Sequence, residues 1–296
     1  MRPSRVGGLL LVPGGALFLA FLLAPMLALL EESFRLFVPG RVGSAAGAPL
    51  TLANYGELLD GSFVRFLVET FRISLLTTAI GLVVAYPIAY QIARRFRPMT
   101  RGLAIGFLVT LLFLSAVVRT YALELTFGSV GPLSPFLVQL GVSPNSRGYI
   151  EVLVGAGLLQ YIIPMSALIL VGTLQNLDPR LVDAAQALGA PAWKAHATIT
   201  LPLSVQGLLS AFLVSFAFSI SAFVNPMILG KGRVLFLSNL IYGRFSEIAN
   251  YPSGAAIAMV TLVVSLAAVY LISRLVSVAA RAGPPAEAGA PRQAAR

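Results

Sequence analysis

The chain has no cysteine, one histidine and one tryptophan in 296 residues, and only 11 residues are acidic. Without cysteine it can form no disulfide, present no thiol nucleophile and supply no thiolate to a zinc site. With His196 as the single imidazole, neither a Cys/His cluster nor a His-Glu-x-x-His metalloprotease motif can be assembled, so no resident metal is expected. No Gly-x-x-x-x-Gly-Lys-Ser/Thr loop occurs. Gly230-Lys231-Gly232 lacks both the spacing and the hydroxyl that follows the lysine, so the chain offers no phosphate cradle of that kind. No nucleophile-and-base pair stands out either, and no residue is assigned a catalytic role.

Apolar residues take the place of these groups. They make up 57% of the chain against 11% charged. Six runs, at about 8–30, 67–92, 102–122, 150–172, 204–229 and 254–272, each approach the ~20 residues that a helix needs to cross ~30 Å of hydrocarbon. Runs of this length are helices, because barrel strands would appear as short alternating segments. The fold class is therefore an all-α membrane protein with six transmembrane helices. Residues 1–281 form a single transmembrane domain, and 282–296, rich in Ala, Pro and Gly, read as a disordered tail. Arg2 and Arg5 before the first run imitate a signal peptide, but an apolar stretch of about 23 residues is too long for an h-region of 7–15, so it reads as a retained anchor.

The net charge of +10 is concentrated at the helix ends. Arg94, Arg95, Arg97 and Arg101 crowd the link between the second and third runs, and Arg2, Arg5, Arg274 and Arg281 flank the termini. By the positive-inside rule these segments face the cytoplasm, with both termini, in a multi-pass membrane protein. Such a basic collar on apolar helices is a topology signal, and no nucleic-acid partner is expected.

Between the fourth and fifth runs lies a mostly non-apolar segment, about 173–203. Asp178-Pro179 is a helix-start pair, because Asp accepts from first-turn amides and Pro tolerates the first helical position. Leu181, Ala184, Ala185 and Leu188 then fall on one helical face, Gly189 stops the helix, and Pro191 restarts a second one carrying Trp193, Lys194 and His196. Isolated helices this short are marginal in water, so something must hold them, either the ends of their own transmembrane helices or a partner. The order Asp183-Ala184-Ala185, three residues, Gly189, nine residues, Ile199, one residue, Leu201-Pro202 resembles the EAA loop of bacterial ATP-binding-cassette importer permeases, with Asp in place of the first Glu.

The resemblance extends from about residue 9 to 274 and is closest to permeases of the spermidine/putrescine class. It is carried by Asn54-Tyr55 with Leu58-Leu59, Tyr86-Pro87-Ile88-Ala89-Tyr90 with Ala93-Arg94, Arg119-Thr120-Tyr121-Ala122, Phe223-Val224-Asn225-Pro226 with Leu229-Gly230, and Asn239-Leu240-Ile241-Tyr242. It implies a type I importer permease fold, a pathway formed with a second, related permease, ABC ATPase subunits that carry ATP and Mg, and a periplasmic substrate-binding protein. It also implies that Asp183, Ala184, Ala185, Gly189, Ile199, Leu201 and Pro202 dock on the ATPase. At Ala222 many polyamine permeases carry an acidic residue, so related solutes such as opines, amino-acid derivatives or organic phosphonates stay open beside a polyamine.

Polar residues in or beside the runs are the candidates for the pathway. Glu69 and Arg72, three apart, are placed to pair with each other. Glu124 and Tyr121 lie at the outer end of the third run. Ser204, Gly207, Ala211, Ser215, Ala222 and Asn225 form a small-residue stripe on the fifth, which either packs helices closely or lines the pathway, with Ser215 and Asn225 as pathway representatives. Pro226 is expected to break the helix and free carbonyls there. The alternative function is a stand-alone secondary transporter or channel. Against it, the middles of the runs hold no acidic residue or histidine for ion coupling.

Overall fold

The computed structural model describes residues 5–40, 43, 44, 47–59 and 61–281. The expected tail at 282–296 and the flanking Arg2 lie outside the described residues. The first long helix is α1 (Arg5–Ser33), followed by the short α2 (Ala53–Glu57). Next comes α3 (Gly61–Tyr90), which continues into one π-helical turn, Gln91–Arg95. Pro98 opens α4 (Pro98–Phe113), and α5 (Ala116–Phe127) and α6 (Ser134–Gln139) precede the long α7 (Arg147–Gln175). The cytoplasm-assigned segment holds α8 (Arg180–Ala187), α9 (Ala192–Ala195), a π-helical turn at His196–Thr200 and α10 (Leu201–Leu203). Then follow α11 (Val205–Ile220), α12 (Val224–Leu229), α13 (Leu237–Tyr242), a third π-helical turn at Gly243–Glu247, and α14 (Tyr251–Arg281). Among the described residues the β structure is confined to one isolated bridge, Arg35 with Leu50.

The helices α3 and α7 form the spine. Small residues on α3 and its π-helical extension, Ala85, Ala89 and Ala93, are buried against Ala167, Leu170 and Leu174 of α7, so the two backbones run close. The approach is tight at Gly81, where an added Cβ would lie 2.4 Å from Cγ2 of Ile162. Towards the other end, Ile73 packs with Ile150, Val154 and Leu158, and Leu229, Val234 and Phe236 close that cluster from the segment after α11. Outside the spine α1 packs on α14, while Leu17, Phe18 and Phe21 face outward. The Asn54 amide clamps the end of α1, donating to the carbonyls of Ser33 and Arg35 at 2.9 Å each.

Among the described residues, four helical stretches are long and apolar enough to cross a bilayer unbroken: Pro13–Ser33, Phe63–Arg95, Arg147–Gln175 and Tyr251–Val276. The count reaches six when each of two bent pairs is taken as one span. The third expected run is not a continuous rod. Extended backbone at Leu114 and Ser115 separates α4 from α5, which turns away by 86°. Sixteen residues of α4 rise only about 24 Å, short of the hydrocarbon thickness, so α4 needs α5 to complete a crossing. The fifth run also differs from expectation, since its helix ends at Ile220 and α12 starts afresh at Val224. The break lies ahead of Pro226, and two of its carbonyls are satisfied by side chains of a later segment. Ser238 Oγ donates to the Ala222 carbonyl at 2.6 Å, and Asn239 Nδ2 to that of Phe223 at 3.1 Å. Irregular backbone at membrane depth survives only when supplied with such partners.

The expected Glu69–Arg72 pair does not form. Both residues reach across to α7 instead: Glu69 pairs with Arg147, and Arg72 Nη2 lies 2.5 Å from Glu151 Oε2. Arg147 also sits 3.5 Å from Glu151. Residues three apart on one helix are neighbours and could pair, but the facing helix α7 offers each an opposite charge directly across the interface. The result latches the N-terminal part of α3 to that of α7.

Candidate coupling loop and pathway residues

The segment joining α7 to α11 folds as the sequence suggests. The Asp178 carboxylate accepts from the Arg180 amide at 2.9 Å and opens α8. At its far end Gly189 adopts φ +89°, and two bonds close the turn, Gly189 N–H to the Gln186 carbonyl at 2.9 Å and Ala190 N–H to that of Ala185 at 3.1 Å. This pair is a Schellman motif, which requires a left-handed residue that glycine supplies without strain. Pro191 then starts α9 from an extended conformation. The α8–α9 unit turns much of its apolar surface outward: Leu188 is 90% exposed and Trp193 72%, and Leu181 and Leu201 are exposed as well. Asp183, Ala184, Gly189 and Pro202 are exposed, and Ala185 and Ile199 are half-buried.

The loop is tied to the spine from one side. Tyr90 OH lies 3.1 Å from His196 Nε2, with the two rings edge-on at 4.6 Å, and His196 Nδ1 lies 3.2 Å from Thr200 Oγ1. Arg94 Nη2 donates to the Leu177 carbonyl at 2.7 Å, and Tyr86 OH approaches Ser204 Oγ at 3.4 Å. His196 is thus half-buried against α3. The sequence marked the two tyrosines and the arginine only as a family signature. Their spacing of four on a helix was the available signal for a shared face.

The structure does not gather the pathway candidates into one site. Ser215 is fully buried in the α7–α11 interface, its Oγ 2.8 Å from that of Ser166. Glu124 is held by Lys231, Oε1 to Nζ 2.8 Å, and Lys231 itself sits at φ +48° in the loop after α12. Tyr121 is exposed on α5. Asn225 accepts from Thr120 Oγ1 at 2.7 Å and so joins α12 to α5. Around that bond Arg119, Gln160, Tyr161 and Phe218 enclose a pocket of about 20 Å³. Arg119 stands over the Tyr161 ring at 5.6 Å, and Tyr161 stacks on Phe218 at 4.0 Å. A separate cavity of about 680 Å³ opens between α11, α13 and α14, with Ser221, Ser238, Tyr242, Thr261 and Ser265 among its hydroxyl-bearing walls and no charged residue in its lining. Sequence reading missed it, because its walls come from segments far apart in the chain.

These features, an exposed two-helix loop on a bundle whose third and fifth apolar runs are broken, agree with a family match over residues 43–279 to the binding-protein-dependent transport system inner membrane component. The chain belongs to that family. It is the membrane-spanning subunit of an importer, a transport component and not an enzyme. The chain is 28% identical over 242 residues to the spermidine/putrescine transport system permease protein PotB of Haemophilus influenzae, covering 81% of this chain and 83% of that protein. It is 25% identical over 235 residues to the inner membrane ABC transporter permease protein YdcU of Escherichia coli K12, covering 75% and 74%. A chain in the crystal structure of a bacterial alginate ABC transporter, in complex with an alginate pentasaccharide-bound periplasmic protein, superposes with a TM-score of 0.72. It covers 93% of this chain and 94% of that one at 19% identity, a likeness of fold. The helical breaks that interrupt the third and fifth runs thus belong to an importer-permease fold.

Proposed function

We propose that this subunit forms half of a translocation pathway driven by ATP on partner ATPase subunits, which also hold the Mg, and that the segment 177–204 is where those ATPases dock. The observation that carries this reading is the α8–α9 unit, rigidly terminated by its Schellman turn and with Leu181, Leu188 and Trp193 exposed. Apolar side chains on a short helix outside the bilayer fit burial in a groove of a partner. The absence of a phosphate-binding loop from the chain agrees with an energy source on another subunit.

The other half of the pathway comes from a second, related permease, and a periplasmic binding protein delivers the solute. The solute is a small polyamine-like compound or a related organic molecule, supported by the likeness to the spermidine/putrescine permease. Both termini and the docking segment face the cytoplasm, in keeping with the arginines at 94–101. Reconstitution in liposomes tests the reading. The chain alone should neither hydrolyse ATP nor accumulate solute, and the ATPase, sister permease and binding protein together should give ATP-dependent uptake of spermidine or putrescine. Ion-gradient-driven accumulation by the isolated chain would overturn it in favour of a secondary transporter.

A further inference from the structure

We infer that Tyr86, Tyr90 and Arg94 are positioning residues that hold the coupling segment on α3, so that movement of α8 and α9 reaches the transmembrane helices through this stripe. The inference rests on 177–204 being the ATPase-docking segment. The three residues are spaced by four, on one face of α3 and its π-helical extension, and each meets a different part of the segment. Arg94 holds its start at the Leu177 carbonyl, Tyr90 its middle at His196, and Tyr86 its end at Ser204.

Rigidity on the α3 side makes the arrangement a lever. Ala85, Ala89 and Ala93 are buried against α7 between these contacts, and the Glu69–Arg147 and Arg72–Glu151 pairs fix the other end of the same two helices. On the other side α8 and α9 are largely exposed and have few internal partners, so the three contacts decide how a push on them is delivered. The Tyr90–His196 contact also joins two π-helical turns, since Tyr90 immediately precedes one and His196 begins the other. Such turns are rare and concentrate where helices must deform. Burial gives a further reason to read the contact as a joint. Ala195 and Thr200, on either side of His196, are buried while Trp193 and Lys194 are exposed, so His196 sits at the boundary between the fixed and the presented parts of the loop.

The test uses the full complex of this chain, the sister permease, the ATPase and the binding protein in liposomes, with uptake and ATP hydrolysis measured separately. Tyr90→Phe removes one hydroxyl and keeps the ring. It should leave ATPase co-purification unchanged, lower the melting temperature by no more than one hydrogen bond is worth, and lower solute moved per ATP about fivefold, also the worth of one hydrogen bond. His196→Ala should do the same, and the double variant should be no worse than either single one. Arg94→Met should also uncouple, with recovery in Arg94→Lys, which can still donate to Leu177. A residue serving only to stabilise the fold would lower assembly, uptake and hydrolysis together. An unchanged ratio of uptake to hydrolysis in Tyr90→Phe, His196→Ala and Arg94→Met overturns the inference. Failure of the docking reading itself is recognisable separately, because the ATPase would then not co-purify with the unmodified chain, and the inference would fall with it.

Discussion

The Arg119 guanidinium donates through Nη1 to the Gln160 carbonyl, 3.1 Å away. That oxygen lies four residues before Pro164, inside α7, and is the one that a proline leaves without its helical donor. In lipid an unpaired carbonyl costs more than in water, so an arginine from α5 answers a need created by α7. Pro226 is a different case: it stands in the first turn of α12, where its missing N–H leaves no helical carbonyl unpaired, and Ser238 serves the Ala222 carbonyl in the break before that helix. A carbonyl freed by a proline and a carbonyl freed by a helix break are thus each matched by a donor from another segment, which ties the broken helices to the rest of the bundle.

The Arg119 bond gives a double-mutant test. Arg119→Met should lower stability by about 1–2 kcal/mol, the worth of a charge-assisted bond reduced by the competition found in membranes. In a Pro164→Ala background the alanine amide supplies the missing donor, and the same change should cost clearly less. Equal losses in both backgrounds, measured by denaturation in detergent, would show that the carbonyl is not what Arg119 serves.

At Gly189 the constraint is conformational and not one of space. An added Cβ meets nothing within 4 Å, but the residue stands at φ +89°. Moving an ordinary residue into the left-handed region costs roughly 1–2 kcal/mol, and β-branched residues fare worst. Gly189→Val should therefore leave the protein in the membrane and abolish coupled uptake, while Gly189→Asn should keep most of it. Normal uptake by the valine variant would remove the docking role of this turn.

The contrast between the legible and illegible parts of the chain has a physical basis. The α8 helix, its start at Asp178 and its stop at Gly189 were readable because capping is local and encoded in adjacent residues. The break at Leu114-Ser115 was not, because neither proline nor glycine marks it and the apolar run continues through it. What bends the chain there is tertiary, with Arg119 reaching Gln160 and Thr120 reaching Asn225. The Glu69–Arg72 expectation missed for the same reason, since spacing on one helix cannot reveal the charges on its neighbour. The small-residue stripe was readable as a pattern but not in its use until Ser215 was found against Ser166.

That stripe packs tightly at Gly207. A Cβ there would fall 2.2 Å from Thr173 Oγ1 and 2.6 Å from its Cβ, and a β-branched side chain on a helix has little room to turn away. Gly207→Ala should destabilise by about 1–3 kcal/mol. Gly172→Ala, where nothing lies within 4 Å, should be neutral or stabilising by up to about 1 kcal/mol, as for alanine in any helix. Thermal melts of the two variants in the same detergent distinguish them, and equal behaviour would contradict the close α7–α11 approach.

The latch between α3 and α7 can be tested by charge exchange. The Glu69 side chain is only 7% exposed, but Arg147 is 40% exposed and keeps Glu151 as a partner, so Glu69→Gln should cost no more than about 1 kcal/mol. Arg147→Glu alone would place like charges together and cost more. Combining Glu69→Arg with Arg147→Glu should recover part of the loss, although Glu151 then faces a new neighbour. A double variant no better than the sum of the singles would mean that the pair does not act as a unit.

The topology of the whole arrangement can be probed in a chain with no cysteine of its own, using single cysteines and an impermeant thiol reagent. Ser143, just before α7, and Thr100 and Ala192, on the links assigned to the cytoplasm, are all exposed and suit the purpose. Ser44, in the segment after α1, is a poor site, because its amide and hydroxyl are both bonded to Glu32, at 2.9 and 2.7 Å. Ser143→Cys should react in intact cells, whereas Thr100→Cys and Ala192→Cys should react only after the membrane is opened. Reaction of Ala192→Cys from outside would invert the orientation, place α8 and α9 in the compartment that holds no ATP, and so remove the coupling segment from reach of any ATPase.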